Sequence, residues 1–314
     1  MLHLDAEATA AALPFDRLID ALRDAFAAPC TVPPRHVHRI EQAGQTMGTV
    51  LIMPAWSDEG LLGIKTINIF PGNGAVGLPG LHATYMLYDA ATGVPLATMD
   101  GNEITARRTA AAAALGASFL ARKDARRLLV LGTGRIARLL PAAFGCVRQI
   151  DEVSVWNHRP EGAVALAAHW RAQGIDARAQ PDLASAVRAA DIVSCATLAT
   201  EPLVQGEWLS PGSHLDLIGS FTPAMREASV DCMAPPTRVF VDTEEALQKS
   251  GDLLDALAAG TLTADRVQAT LTQLCRGERE GRQQADERTV FKAVGNALED
   301  LTAATLVWRS RQGS

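Results

Sequence analysis

The chain has 314 residues, of which 48% are hydrophobic and 20% charged, and its formal net charge is −6. This composition sustains packed cores for two domains of ordinary size and excludes global disorder. The acidic balance, with no Lys/Arg run anywhere, excludes a broad nucleic-acid surface.

The first stretch, MLHLDAEATAAALPFDRL, carries early acids and no long apolar segment, so no signal peptide is expected. No window approaches the ~18 apolar residues of a membrane span. Cys30, Cys146, Cys195, Cys232 and Cys275 are widely scattered, without C-x-x-C or zinc-ligand spacing beside a His pair. Reduced thiols in a cytoplasmic protein are expected, with no metal site. Cys195, inside the apolar run DIVSCAT, reads as a core residue.

Residues 1–30 read as helical, with Leu18, Ile19, Leu22 and Phe26 at helix spacing, until Pro33 and Pro34 intervene. Short apolar or alternating runs follow: TMGTVLIMPAW, LLGIKTINIF, HATYMLYDAATG and VPLATMD, read as antiparallel strands. PGNGAVGLPG (71–80) is a loop by composition, and EITARRTAAAAALGASFLA (103–121) an alanine-rich helix.

From Arg126 the rhythm becomes strand–helix alternation. Strands are expected at LLVLG, EVSVWN, IDARAQ, DIVSCAT, HLDLIG and RVFVDT, with helices such as EGAVALAAHWRAQ and DLASAVRAA between them. That alternation predicts an α/β fold with a doubly wound parallel sheet. After Arg288, TVFKAVGNALEDLTAATLVWRSR reads as one long helical run, with Val290, Val294, Ala297, Leu301 and Ala304 at three- and four-residue spacing.

Within RRLLVLGTGRIARLL (126–140), Gly132-Thr133-Gly134-Arg135-Ile136-Ala137 fits G-x-G-x-x-G/A after an apolar strand and before a helix. The first glycine permits a tight turn, the second lets a pyrophosphate approach the backbone, and the small third residue lets helix and strand pack. A helix N-terminus then presents N–H groups and the positive end of its dipole. An NAD site places an acid at the end of the next strand to hold the ribose hydroxyl. Here EVSVW ends in Asn157-His158-Arg159, with no carboxylate. Arg159 can pair with a 2′-phosphate and Asn157 can hydrogen-bond it, so NADPH is expected over NADH, which remains a weaker alternative.

Several longer segments carry a resemblance: PPRHVHR (33–39), LGIKTIN (62–68), LPGLHATYMLYDAATGVPLATMDGNEITARRTAAAAA (78–114), LGTGRIA (131–137), GSHLDLIGSFTPAMRE (212–227) and TVFKAVGNALEDLTAA (289–304). Along essentially its whole length the chain resembles the ornithine cyclodeaminase/mu-crystallin family. The resemblance implies a Rossmann NADP-binding domain (121–288) and an N-terminal α+β substrate domain. The latter spans 1–120, is completed by 289–314 and its C-terminal helix, and also forms a homodimer.

Family members act on small α-amino or α-imino acids, so a carboxylate must be gripped. By motif position the grip falls on Arg35, Lys65 and Arg108, and the chemistry agrees: Arg offers a planar fork and Lys a point charge. Lys65 lies within an apolar run, where an unpaired charge is costly. Thr109 is expected to face the cofactor phosphates, and Thr197, after DIVSCA, is counted with the cofactor residues. Val294 and Gly295, read as the start of the final helix, match positions that line the substrate pocket.

One departure is decisive for the reaction. Cyclodeaminase members carry an acid in a G-G-D-x-P-G-K type segment after the fifth Rossmann strand. In Ile218-Gly219-Ser220-Phe221-Thr222-Pro223-Ala224-Met225, Phe221 stands where that aspartate would be and Met225 where the lysine would be. A phenyl ring neither accepts a proton nor activates water. The resemblance therefore points to the imine reductase branch, reducing Δ1-pyrroline-2-carboxylate to L-proline and Δ1-piperideine-2-carboxylate to L-pipecolate, a step of proline metabolism. Lys65 is the candidate catalytic residue, with His82 and bound water as other proton sources. Three other readings stay open: ornithine cyclodeaminase, an amino-acid dehydrogenase, and a non-catalytic mu-crystallin-like binder of NADPH and a small ligand.

Overall fold

The computed structural model describes residues 1–312. They form two compact units, Met1–Arg108 with the C-terminal segment from Asn296, and Thr109–Gly295.

The first unit begins with a short strand β1 (Leu2–Leu4) and helices α1 (Ala6–Ala11) and α2 (Phe15–Ala27). The strand replaces the start of the expected helical run because Leu2–Leu4 pairs in parallel with the far end of the sheet. Strands β2 (Cys30–Thr31), β3 (His36–Gln42), β4 (Gln45–Ser57), β5 (Leu61–Ile69), β6 (Leu81–Asp89) and β7 (Pro95–Asp100) follow. The sheet order is β1-β7-β6-β5-β4-β2, with β3 also paired to β4, and every pair from β2 to β7 is antiparallel. Period-2 burial explains which face is covered. Leu61, Gly63, Lys65 and Ile67 of β5 are buried, whereas Leu62, Ile64, Thr66 and Asn68 remain half exposed.

The C-terminal helix (Ala297–Arg309) packs against α2, β4 and β5. It buries Leu298, Leu301, Ala303, Ala304 and Val307. Each large one stabilises the unit by about 1.5–3 kcal/mol. Its partner α2 presents Leu18, Ile19, Leu22 and Phe26, all buried on one stripe.

Helix α3 (Gly101–Leu120) enters the second unit after Arg108. Its run Ala110–Ala114 is fully buried, since small side chains permit close packing. A Cβ at Gly116 would lie 2.8 Å from the Phe291 ring. The second unit adds β8 (Arg127–Leu131), α4 (Arg135–Gly145), β9 (Glu152–Trp156), α5 (Pro160–Ala172), β10 (Ala177–Ala179) and α6 (Leu183–Ala189). Then come β11 (Ile192–Cys195), β12 (His214–Leu217), β13 (Arg238–Val241), α7 (Ala246–Lys249), α8 (Gly251–Ala258), β14 (Val267–Thr270), α9 (Leu271–Cys275) and β15 (Thr289–Lys292). All eight strands are parallel, in the order β10-β9-β8-β11-β12-β15-β13-β14. This is the doubly wound Rossmann arrangement, with its switch point between β8 and β11.

The long final helix expected from residue 289 is corrected here. Thr289–Lys292 is a strand held between β12 and β13, and only Ala297–Arg309 is helical. TVFK is buried on both faces, so its apolar residues mimic helical spacing. Gly295, at φ 80°, and the N-cap Asn296 separate the two elements. The units therefore divide after Arg108 and after Gly295, not after residues 120 and 288.

Among the described residues no helix is long and apolar enough to cross a membrane. None of the five cysteines forms a disulfide, and Cys195 is buried in the core of the second unit.

Candidate active site

Lys65 sits in the middle of β5 on the face covered by the C-terminal helix, with none of its surface exposed. Its Nζ lies 2.6 Å from Oδ2 of Asp300 and donates to the Thr105 hydroxyl at 3.3 Å. Arg108 is 7% exposed. Its Nε donates to Oδ1 of Asp300 at 3.0 Å and its Nη1 to Oε2 of Glu299 at 2.6 Å. Asp300 thus bridges the two cations that the sequence singled out. Glu299 and Asp300 come from the first turn of the C-terminal helix, which is capped by the Asn296 side chain accepting from the Leu298 amide.

Two cations and two carboxylates balance, which is the condition for burying charge at all. Burial still pushes the Lys65 pKa down to about 8, with Asp300 opposing and Arg108 reinforcing the shift. Tyr85 stands directly across from Lys65 in the β5–β6 register. Its hydroxyl is buried without a hydrogen-bond partner, and burial and then Asp300 raise its pKa. A Cβ on Gly63 would overlap that hydroxyl, so glycine makes room for the ring. Arg35 is half buried at the end of the connection from β2 to β3.

In the second unit the glycine turn leaves β8 at the switch point. Gly132 has φ 101°, and a Cβ there would come 2.6 Å from the Ala196 carbonyl and 3.3 Å from Cγ2 of Thr197. Glycine is therefore required by backbone and packing together. Gly134 differs: a Cβ there meets nothing within 4 Å, so protein packing does not explain it. Close approach of a pyrophosphate does. Gly134 also caps α4 without a side-chain acceptor for the first-turn amides, which begin at Arg135 and Ile136. Those amides can take phosphate oxygens.

Beyond the turn, a Cβ at Gly162 of α5 would lie 3.1 Å from both Nδ2 of Asn157 and Oγ1 of Thr133. Thr133 and Asn157 therefore meet at the carboxyl ends of β8 and β9. Nδ2 of Asn157 donates to the Arg159 carbonyl at 2.9 Å, and the side chains of His158 and Arg159 are exposed. Thr197 follows β11 across the switch point, and Thr109 is buried in α3. The arrangement fits a dinucleotide, with glycines where phosphate must approach and polar side chains where the adenosine ribose would lie.

Phe221 follows β12, half buried against the core of the second unit. Val294 and Gly295 do not open the final helix; they form the connection after β15. Their amides donate to Oδ2 of Asp242 at 2.8 and 2.7 Å, and Val294 is buried in the core. The sequence reading missed Glu299, Asp300, Thr105, Tyr85 and Asp242. Only the adjacent acids in ALED carried a signal, and acids in a helix's first turn are ordinary.

A Rossmann sheet with a phosphate-ready turn at its switch point, in a chain whose first unit is built around paired buried cations, defines a two-unit α/β protein of the dinucleotide-binding type. The sequence model of the ornithine cyclodeaminase/mu-crystallin family matches residues 4–314, and the chain belongs to that family. It is 39% identical over 288 residues to the Δ1-pyrroline-2-carboxylate reductase of Paracoccus denitrificans, covering 89% of this chain and 91% of that one. It superposes with TM-score 0.93 on the Thermococcus litoralis Δ1-pyrroline-2-carboxylate reductase in complex with NADH and L-proline. The identity there is 30%, over 100% of this chain and 98% of that one. An archaeal alanine dehydrogenase dimer with bound NAD matches with TM-score 0.92 and 29% identity, over 100% of this chain and 96% of that one.

Proposed function

We propose that the protein reduces cyclic imino acids at the expense of a nicotinamide dinucleotide, taking Δ1-pyrroline-2-carboxylate to L-proline and Δ1-piperideine-2-carboxylate to L-pipecolate. The observation that carries this reading is the bridged cation pair, Lys65 and Arg108 sharing Asp300, in a chain that also holds a phosphate-ready glycine turn. The named reductases among its relatives support it.

Arg35, Lys65 and Arg108 hold the substrate carboxylate, Arg as a planar fork and Lys as a point charge. Glu299 and Asp300 keep both buried cations ionised before substrate arrives. Thr109, the turn Gly132–Ile136 and Thr197 hold the phosphates and nicotinamide end of the dinucleotide. Asn157, His158 and Arg159 hold the adenosine ribose. When bound, the reduced dinucleotide supplies the hydride that C2 of the C=N bond accepts. Lys65, its pKa lowered to about 8, stands as the proton donor to the imine nitrogen. Phe221 gives an apolar wall against the ring methylenes and stands in place of the acid that a cyclodeaminase carries at that position. Val294 and Gly295, fixed by Asp242, complete the substrate wall.

Arg159 and the missing acid after β9 favour NADPH over NADH. The protein works as a homodimer. On the uncovered sheet face, Pro54, Ile64 and Met86 align across three strands, as do Trp56, Leu62 and Tyr88. All six are partly or well exposed, an apolar surface that a second copy would cover.

The test is oxidation of NADPH and of NADH against a panel of cyclic and linear imino acids. Turnover with the two cyclic ketimines is expected. Ammonia release from ornithine would favour a cyclodeaminase. Oxidation requiring pyruvate and ammonium together would favour a dehydrogenase, and dinucleotide binding without turnover a binding protein.

A further inference from the structure

Glu227 lies outside every helix and strand of the second unit, yet its side chain is fully buried. Both carboxylate oxygens are engaged. Oε1 accepts from the backbone amide of Thr197 at 2.7 Å and from its hydroxyl at 2.8 Å. Oε2 accepts from the amides of Gly219 at 2.8 Å and Ser220 at 3.1 Å. Thr197 leaves β11 and Gly219–Ser220 leave β12, its parallel neighbour. One carboxylate with four donors thus ties together the two connections that emerge from the carboxyl ends of adjacent strands.

The clamp is itself clamped. The backbone amides of Glu227 and Ala228 donate to Oδ1 of Asp252 at 2.7 and 3.0 Å. The other Asp252 oxygen receives the Ser220 hydroxyl and lies 3.2 Å from Nζ of Lys292. That ammonium also donates to the Ser220 hydroxyl at 3.1 Å. Packing alone does not ask for an acid here; four donors converging on one side chain do. An amide would offer one acceptor atom and turn an NH2 against the remaining donors.

In a Rossmann sheet the pyrophosphate sits on the glycine turn and the adenosine half runs toward the end of the second strand. Those positions here are Gly132–Gly134 and Asn157. The nicotinamide half must then run the other way, over the ends of β11 and β12. We infer that Glu227 is a positioning residue for the nicotinamide end of the dinucleotide, setting the height of Thr197 and of the Gly219–Ser220 backbone on which it rests. This rests on the dinucleotide reading above.

The charged and titratable groups facing Glu227 are Lys292 from β15, Asp252 from α8, Asp216 from β12 and Cys195 from β11. Burial pushes the Glu227 carboxyl up to about 7, with Lys292 opposing and Asp252 adding to the rise. Protonation removes one acceptor set, so dinucleotide affinity should fall as the pH drops below that value.

The experiment is fluorescence titration of NADH and NADPH from pH 5.5 to 8.5 on the whole protein, with Glu227→Gln, Thr197→Val, Thr197→Ser and Asp216→Asn. Wild type should bind more weakly on the acid side. Glu227→Gln should bind about tenfold more weakly at pH 8, the equivalent of about 1.4 kcal/mol, and show no pH slope. Thr197→Val should fall between the two, with Thr197→Ser close to wild type. If Glu227→Gln does not fold, the Thr197 pair carries the same comparison. Asp216→Asn should keep the slope. If wild type binds but Glu227→Gln retains its affinity and slope, or the two Thr197 variants bind alike, the inference is overturned alone. If wild type binds neither dinucleotide, the dinucleotide reading falls first and takes this one with it.

Discussion

Replacing Asp300 by asparagine removes the one charge shared by Lys65 and Arg108 while keeping the side chain's shape. In the wild type its carboxylate lies 2.6 Å from the Lys65 ammonium and 3.0 Å from Nε of Arg108, and it is fully buried. Arg108 keeps Glu299 at 2.6 Å, whereas among the described residues Lys65 keeps the hydrogen bond to the Thr105 hydroxyl at 3.3 Å and the weaker influence of the Glu299 charge. The ammonium is then a buried charge without its counter-ion, and breaking such a pair costs about 3–5 kcal/mol. At roughly 2–4 °C per kcal/mol for chains of this order, the melting temperature should fall by roughly 6–20 °C.

The pH dependence carries a sign. The folded pKa of Lys65 is lowered from 10.5 to about 8. The unfolded chain therefore binds more protons between those values, and this residue adds stability as the pH rises from about 8 toward 10.5. Without Asp300 that gain should begin at lower pH. The double variant Lys65→Met/Asp300→Asn removes both charges and should recover at least about 1 kcal/mol of the loss, a coupling expected of contacting residues. The assay is thermal unfolding of wild type, both single variants and the double, from pH 6 to 10. If Asp300→Asn unfolds within 1 °C of wild type, or the double variant is no more stable than Asp300→Asn, the ion-pair reasoning is wrong.

The KM for the imino acid should rise as the pH climbs through about 8, where Lys65 loses its proton, and steady-state profiles of wild type against Lys65→Met check this, since the variant should lose that limb. Arg159→Ala should raise the KM for NADPH roughly tenfold while leaving that for NADH nearly unchanged, because a charge-assisted bond to phosphate is worth about 1.5–3 kcal/mol; equal effects would show that Arg159 does not meet the 2′-phosphate. Burial raises the Asp216 pKa from 3.8 to about 7, so the folded state binds more protons than the unfolded chain between those values and the residue removes stability as the pH rises. His214, lowered from 6.5 to about 3 by burial, acts in the opposite direction, so the readout is the difference between Asp216→Asn and wild type. The variant's melting temperature, relative to wild type, should improve from pH 4 to 7.

Much of this was legible because the signals were local. The strand, glycine turn and helix at 126–140 declare themselves within fifteen residues. Lys65 stands out as a charge in a buried strand. The partners were not legible. Asp300 lies 192 residues from Arg108, and as a first-turn helix acid it looks like an ordinary dipole-favoured surface residue. Glu227 belongs to no regular element, and its role exists only once β11 and β12 are neighbours. The strand Thr289–Lys292 reads as helix in the sequence because a segment covered on both faces has no alternation to betray it.

The most direct measurement is a crystal structure with NADH and L-proline bound. The proline carboxylate should lie at hydrogen-bond distance, roughly 3 Å, from Nζ of Lys65 and from the Arg108 guanidinium, with Asp300 still bridging the two. A carboxylate held elsewhere, with Lys65 and Arg108 engaged only by Glu299 and Asp300, would show that the buried quartet is structural and that substrate is gripped by other residues.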